Sequence, residues 1–165
     1  MKMLQALNDT TTYCAHPYDH WLVDKPFSKG VIAEVVGTPI PDGRRAYDGT
    51  RAADNGGDGL DGKLRRYVTR DNQDEFPVIR SQLIEEMMNP VVVQKIESML
   101  SLDLSDAFLR VEVIADRKGF WLKPHRDIKE KLMTLLVYVN VCGEDENLGT
   151  DIYDNDLKVA KTIPY

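Results

Sequence analysis

The chain has 165 residues, of which 42% are apolar and 29% are charged, so it can bury one core and predicts a single domain over residues 1–165. Its formal net charge of -6 argues against a protein that binds nucleic acid through the phosphate backbone, because such proteins present a basic face. Two isolated cysteines without CxxC spacing, no apolar run of transmembrane length and no signal-peptide pattern predict a cytoplasmic protein without a membrane partner.

The first predicted element is a strand and turn over residues 20–27, where an apolar run ends at a proline. Residues 31–36 fit a short helix or a second strand, since their periodicity does not distinguish the two. Residues 38–62 are rich in Gly, Asp, Pro and Arg and predict a long flexible loop, the kind of segment that selects substrates. Arginines in and after this loop fit either an anionic substrate or a solvated surface.

Two helices are predicted over residues 78–101. Ile79, Leu83 and Met87 lie four residues apart, with Ile84 and Met88 beside them, and form one apolar stripe, as on the buried face of a helix. Asn89 and Pro90 end this helix, and they also supply the cap and the first position of the next one.

The sequence changes from a helical to a strand period after Asp106. Leu109, Val111 and Val113 alternate with charged residues and predict a half-buried strand. Further strands are predicted over residues 120–125, 132–141, 150–153 and 157–163. The last two flank Asp154-Asn155-Asp156, which predicts a hairpin turn because Asn and Asp tolerate left-handed backbone angles. Helices followed by a meander of strands over residues 106–165 predict an α+β fold with an antiparallel sheet.

A His-x-Asp triplet follows the predicted strand at 120–125. His125 and Asp127 lie two residues apart, so in an extended chain both side chains point to one face. An imidazole and a carboxylate are two of the three ligands in the facial triad that holds Fe(II) in non-haem oxygenases. The alternative interpretation of the same two residues is a surface ion pair at a strand end. The other histidines, His16 and His20, lie far upstream in the wrong order for a third ligand.

The sequence around this triplet resembles the prolyl-4-hydroxylase-like branch of the 2-oxoglutarate and Fe(II)-dependent oxygenases. The resemblance covers residues from about 108 to 153 and depends on several features in order. These are a strand, Gly119, an aromatic stretch, the His125-Arg126-Asp127 triplet, the apolar run 131–140 that ends in Tyr138-Val139-Asn140, and the segment from Gly149 to Tyr153.

This resemblance implies a double-stranded β-helix, or jelly roll, in which His125 and Asp127 hold Fe(II). It also implies that the helices at 78–101 support the strands that follow them. It implies a dioxygenase that consumes O2, decarboxylates 2-oxoglutarate to succinate and hydroxylates a small molecule or a protein side chain. By position, Tyr138 matches a family tyrosine that binds the distal carboxylate of 2-oxoglutarate. Thr134 lies four residues earlier on the same predicted strand face and is a second candidate for this carboxylate. No catalytic residue beyond the metal ligands is predicted.

The chain departs from the family pattern at its C-terminus. The family's distal histidine, and the Arg or Lys that pairs with 2-oxoglutarate, would follow residue 165, so we expect the oxygenase domain to be incomplete in this chain. Two alternatives stay open, namely a cupin-like β-helix that binds a metal or ligand without catalysis and an inactive fragment of an oxygenase. The substrate and the oligomeric state have no signature in the sequence.

Overall fold

The computed structural model describes residues 1–40, 63–116, 124–139 and 148–163. The first two ranges contain α1 (Lys2–Asp9), β1 (Thr11–Cys14), β2 (His20–Val23), α2 (Lys29–Gly37), β3 (Lys63–Val68), a 3-10 turn (Gln73–Glu75), α3 (Pro77–Ile79), a π-helical turn (Arg80–Ile84), α4 (Glu85–Met87), α5 (Pro90–Leu100) and β4 (Val111–Asp116). The last range contains β5 (Thr150–Tyr153) and β6 (Val159–Ile163). α3, the π turn and α4 follow one another without a break and form a single helical run.

The six strands form three antiparallel pairs, β1 with β2, β3 with β4 and β5 with β6. In the long-range pair, β3 and β4 are aligned so that Arg66 lies opposite Val113. The three pairs do not join into one larger sheet within the described residues. The described residues thus contain helices and small antiparallel sheets, and the predicted α+β jelly roll stays a prediction.

The core of the described structure is mainly helical. Ile79 and Val92 are fully buried, and Met3 and Val31 are 1% exposed, so each of the four helical runs contributes a buried side chain. Val113 of β4 joins the same cluster and attaches the β3–β4 pair to the helices. The predicted apolar stripe is confirmed at Ile79 and Met87, which are buried, and at Leu83 and Ile84, which pack against the core, whereas Met88 is 55% exposed and lies outside it.

Glu34 of α2 connects this helix to the start of α3. Its carboxylate accepts hydrogen bonds from the backbone N–H groups of Val78, at 3.1 Å, and Ile79. Amides in the first turn of a helix have no partner inside the helix, and the positive end of the helix dipole favours a carboxylate there. A half-buried glutamate thus supplies hydrogen bonds that the helical run cannot supply for itself.

Glu86 of α4 performs the same task for α1. Its two carboxylate oxygens accept hydrogen bonds from the backbone N–H groups of Lys2, at 3.1 Å, and Met3, at 3.0 Å. Met1, at the cap position of α1, contributes no side-chain hydrogen bond, so the external carboxylate replaces a local cap. The start of α1 is therefore fixed by tertiary structure.

Several sequence predictions are confirmed. Helices occupy residues 77–87 and 90–100, and the Asn89 side chain accepts a hydrogen bond from Val91 N at 3.0 Å, as a helix cap does. Residues 31–36, which fitted helix or strand, lie in α2, where Ser28 Oγ accepts from Val31 N at 3.2 Å. The hairpin over residues 150–163 is present as β5 and β6.

Other elements were not predicted. α1 was missed because its stripe of Met3, Ala6 and Leu7 spans fewer than two turns in a polar segment. β1 and β3 were missed because each becomes a strand through backbone hydrogen bonds to its partner, β2 or β4, and this pairing leaves no local sequence signal. In the β5–β6 turn, the left-handed position is taken by Leu157, with φ of 59°, while Asp154 Oδ1 accepts two backbone hydrogen bonds.

The strands predicted over residues 120–125 and 132–141 fall partly outside the described residues. Their described parts, 124–125 and 132–139, have no regular strand, and Leu132 and Leu136 are 48% and 56% exposed. An apolar run becomes a buried strand only when a neighbouring strand accepts its backbone hydrogen bonds and covers its side chains. Residues 132–139 have no such partner within the described residues.

Most of the loop predicted over residues 38–62 lies outside the described residues, which include only residues 38–40 of it.

Among the helices in the described ranges, none is both long and apolar enough to cross a bilayer.

Replacement of Glu34 by Gln tests the carboxylate at the start of α3. A Gln amide offers one acceptor oxygen and turns its NH2 group towards the second backbone N–H, so we expect unfolding free energy to fall by about 1–3 kcal/mol. The measurement is urea unfolding followed by circular dichroism. Glu85→Gln is the matched control, because Glu85 is 63% exposed and lies 3.9 Å from Arg80. Equal stability of the two variants would contradict the proposed role of Glu34.

Candidate metal centre

All four predicted site residues, namely His125, Asp127, Thr134 and Tyr138, lie on the segment 124–139. This segment begins with Pro124 and has neither helix nor strand. A turn at residues 128–131 reverses its direction, with Lys131 N donating to Ile128 O at 3.1 Å. The turn brings side chains from both of its sides to Asp127.

Asp127 is the centre of this arrangement. Its Oδ1 accepts a hydrogen bond from Lys131 Nζ at 2.9 Å, and its Oδ2 accepts one from Thr134 Oγ1 at 2.8 Å. Thr134, predicted as a 2-oxoglutarate ligand, thus contacts the predicted metal ligand. Lys131 was missed by sequence reasoning, although its spacing of four residues from Asp127 is typical of an acid–base pair across one turn.

The hydrogen bond from Lys131 is the main reason that the pKa of Asp127 lies below its usual range. The Thr134 hydroxyl and the positive charges of Lys131 and His125 act in the same direction, and burial acts against them. The Asp127 side chain is 39% exposed, so water screens the ion pair. Asp127 is therefore a charged carboxylate at neutral pH, as a metal ligand must be.

His125 is exposed and lies close enough to Asp127 to act on its charge. By donor type, this imidazole and carboxylate fit two positions of an Fe(II) facial triad. Within the described ranges, no group of three His, Cys, Asp or Glu side chains is placed to hold one ion. His16 and His20 lie within these ranges, so neither supplies the third ligand there. The pair fits iron as a partial donor set.

The Tyr138 hydroxyl forms a hydrogen bond with Thr150 Oγ1, at the first position of β5. Tyr138 is half-buried, whereas Thr134 is exposed. The two residues predicted to bind one carboxylate are thus hydrogen-bonded to different groups, Thr134 to Asp127 and Tyr138 to Thr150. A 2-oxoglutarate carboxylate would have to replace one or both of these partners.

Comparisons of the chain with protein-family models, curated proteins and solved structures return no match. The resemblance to the oxygenases therefore stays a prediction from the sequence.

Replacement of Lys131 by Met tests the ion pair directly. Removal of the ammonium takes away the strongest cause of the lowered pKa, so we expect the Asp127 pKa to rise towards its usual value. The Asp127–Lys131 ion pair stabilises the folded chain at pH values above the ordinary pKa of an aspartate. This stabilisation is lost as the pH falls through the lowered pKa of Asp127, and it is absent at every pH in Lys131→Met. The measurement is an NMR titration of the Asp127 side-chain carboxyl carbon. Lys129→Met is the control, and an unchanged pKa in Lys131→Met would contradict the ion pair.

Proposed function

We propose that this protein is an Fe(II)- and 2-oxoglutarate-dependent dioxygenase that hydroxylates a substrate as 2-oxoglutarate is decarboxylated to succinate. In this proposal His125 and Asp127 supply two of three iron ligands. The observation that supports it best is the charged Asp127 carboxylate beside His125. This carboxylate already binds a cationic group, because it accepts a hydrogen bond from the Lys131 ammonium at 2.9 Å. The fold that the proposal requires is the jelly roll.

The Lys131 ammonium is a competitor for the proposed metal. A divalent ion carries twice its charge and would compete with Lys131 for the Asp127 carboxylate, to which Thr134 also donates a hydrogen bond. Thr134 would then hold the orientation of Asp127 from outside the metal, as hydrogen-bonded partners of metal ligands commonly do. Iron, when bound, supplies open positions for the 2-oxo acid and oxygen.

Tyr138 and Thr134 are the proposed donors to the co-substrate. Both hydroxyls can donate a hydrogen bond to a carboxylate. Tyr138 is the better candidate because it is half-buried, and a hydrogen bond to a charged group is stronger where water is partly excluded. Thr134 is already hydrogen-bonded to Asp127 and serves the metal ligand more directly.

A second candidate function is a non-catalytic β-helix module, or an inactive oxygenase fragment. The observation that favours it is that Lys131 and Thr134 each hydrogen-bond to one oxygen of Asp127, as in an ion-paired surface turn. In that case the triplet region would be an ion-paired surface turn. Metal binding distinguishes the two candidates.

We expect Asp127→Ala to abolish Mn(II) and Fe(II) binding, because Asp127 is the carboxylate of the proposed pair. Lys131→Met should bind these ions more tightly than the unchanged chain, since the competing ammonium is gone. Isothermal titration under nitrogen measures both, with Asp106→Ala as a control for the loss of an exposed carboxylate elsewhere. Equal metal affinity in Asp127→Ala and Asp106→Ala would reject the metal site and favour the non-catalytic module.

We expect Tyr138→Phe to raise the 2-oxoglutarate concentration for half-maximal succinate release by about tenfold, the effect of one hydrogen bond to a charged group. The assay supplies Fe(II) and ascorbate, and iron affinity should not change. Tyr153→Phe, a half-buried tyrosine of β5, is the matched control. An unaltered 2-oxoglutarate dependence in Tyr138→Phe would refute the assignment of Tyr138. A chain that binds metal but releases no succinate would favour the inactive fragment.

A further inference from the structure

A cleft of about 370 Å³ lies between the β1–β2 hairpin and the C-terminal end of α5. Its walls are formed by Tyr13, Asp19, Trp21, Met99, Leu100 and Ser101. None of these residues belongs to the segment 124–139, so the cleft is separate from the proposed metal centre. Its volume is at the lower end of the range for small-molecule sites.

Two aromatic rings form one wall of the cleft. Tyr13 and Trp21 lie directly opposite each other in the β1–β2 register, which places their side chains on the same face of the hairpin. The ring centroids are 5.3 Å apart, and the ring planes are tilted by 43°. The faces of such rings carry partial negative charge and attract cations, with Trp the strongest of the aromatic side chains.

A carboxylate adds full negative charge to this wall. Asp19 Oδ1 accepts a hydrogen bond from the Tyr13 hydroxyl at 2.7 Å. No Lys or Arg of the described ranges forms an ion pair with Asp19. The carboxylate is therefore held in place by a neutral donor, and its charge is not balanced by a cation from those ranges.

The opposite wall is the end of a helix. α5 ends at Leu100 and is capped by Ser101, a left-handed residue with φ of 53°, and its last turn contains no basic residue. The C-terminal end of an α-helix carries partial negative charge, which a Lys or Arg in the last turn commonly balances. Met99 and Leu100 add apolar surface next to this end. Both walls of the cleft thus combine apolar surface with negative potential.

We propose that this cleft binds a small free alkylammonium ion of the quaternary type. Its methyl groups would contact Tyr13, Trp21 and Met99, and its charge would face the aromatic rings, Asp19 and the end of α5. A metal ion would find one carboxylate where it needs several oxygen ligands. The inference is independent of the proposed oxygenase function.

The test compares choline with its neutral isostere, 3,3-dimethylbutan-1-ol, on the full chain. The two tryptophans give two indole N–H signals in NMR spectra, and the signal that disappears in Trp21→Phe belongs to Trp21. We expect choline to shift this signal and to bind about tenfold more tightly than the isostere, because the attraction to the rings and to Asp19 requires the charge. Equal affinities would overturn the proposal.

Two variants distinguish a loss of electrostatic attraction for choline from a loss of folding. Asp19→Asn keeps an acceptor for Tyr13 but removes the charge, so choline affinity should fall by about tenfold with the isostere unchanged. Asp24→Asn is the matched control on the same hairpin, since Asp24 is exposed and lies 3.5 Å from Lys25. Ser101→Lys, at an exposed position, supplies a competing cation and should weaken choline binding similarly even if Asp19→Asn does not fold. Choline affinity that is unchanged in Ser101→Lys, or equal in Asp19→Asn and Asp24→Asn, would overturn the proposal.

Discussion

Backbone N–H groups at the start of a helix need acceptors from elsewhere, and in this chain two glutamates provide them across the core. Glu34 binds the first turn of the helical run at residues 77–87, and Glu86, within that run, binds the first turn of α1. Three helical runs are thereby connected in series by charge-assisted hydrogen bonds. The apolar side chains between them, including Ile79 and Met3, are buried once these helices are set at the right distance.

The two glutamates also explain which helices could be predicted. The stretch 90–100 carries its own signals, with Asn89 as cap and Pro90 at the first position, and both act in the structure as the sequence indicates. α1 has no such local cap and depends on Glu86, which is more than eighty residues away in the sequence. Local chemistry is visible in a sequence, whereas a distant acceptor is not.

The same distinction applies to the strands and the candidate site. The alternation at residues 109–113 correctly predicted a strand in that region, although its partner β3 was not predicted, because pairing joins residues far apart in the chain. The apolar run at 132–139 has the composition of a buried strand, but a strand also requires a neighbour. At the site, the residue types of His125 and Asp127 suggested metal chemistry, whereas the roles of Thr134 and Lys131 as partners of Asp127 became visible with the turn between them.

The hydrogen bond between Tyr138 and Thr150 couples the segment 124–139 to the β5–β6 hairpin. If a ligand carboxylate takes over the Tyr138 hydroxyl, Thr150 loses that contact, so ligand affinity and hairpin stability become linked quantities. By reciprocity, any change that loosens β5 at Thr150 would free Tyr138 and favour the ligand. Amide hydrogen exchange along β5 would therefore detect ligand binding at the Tyr138 hydroxyl, although Tyr138 lies in a different segment of the chain.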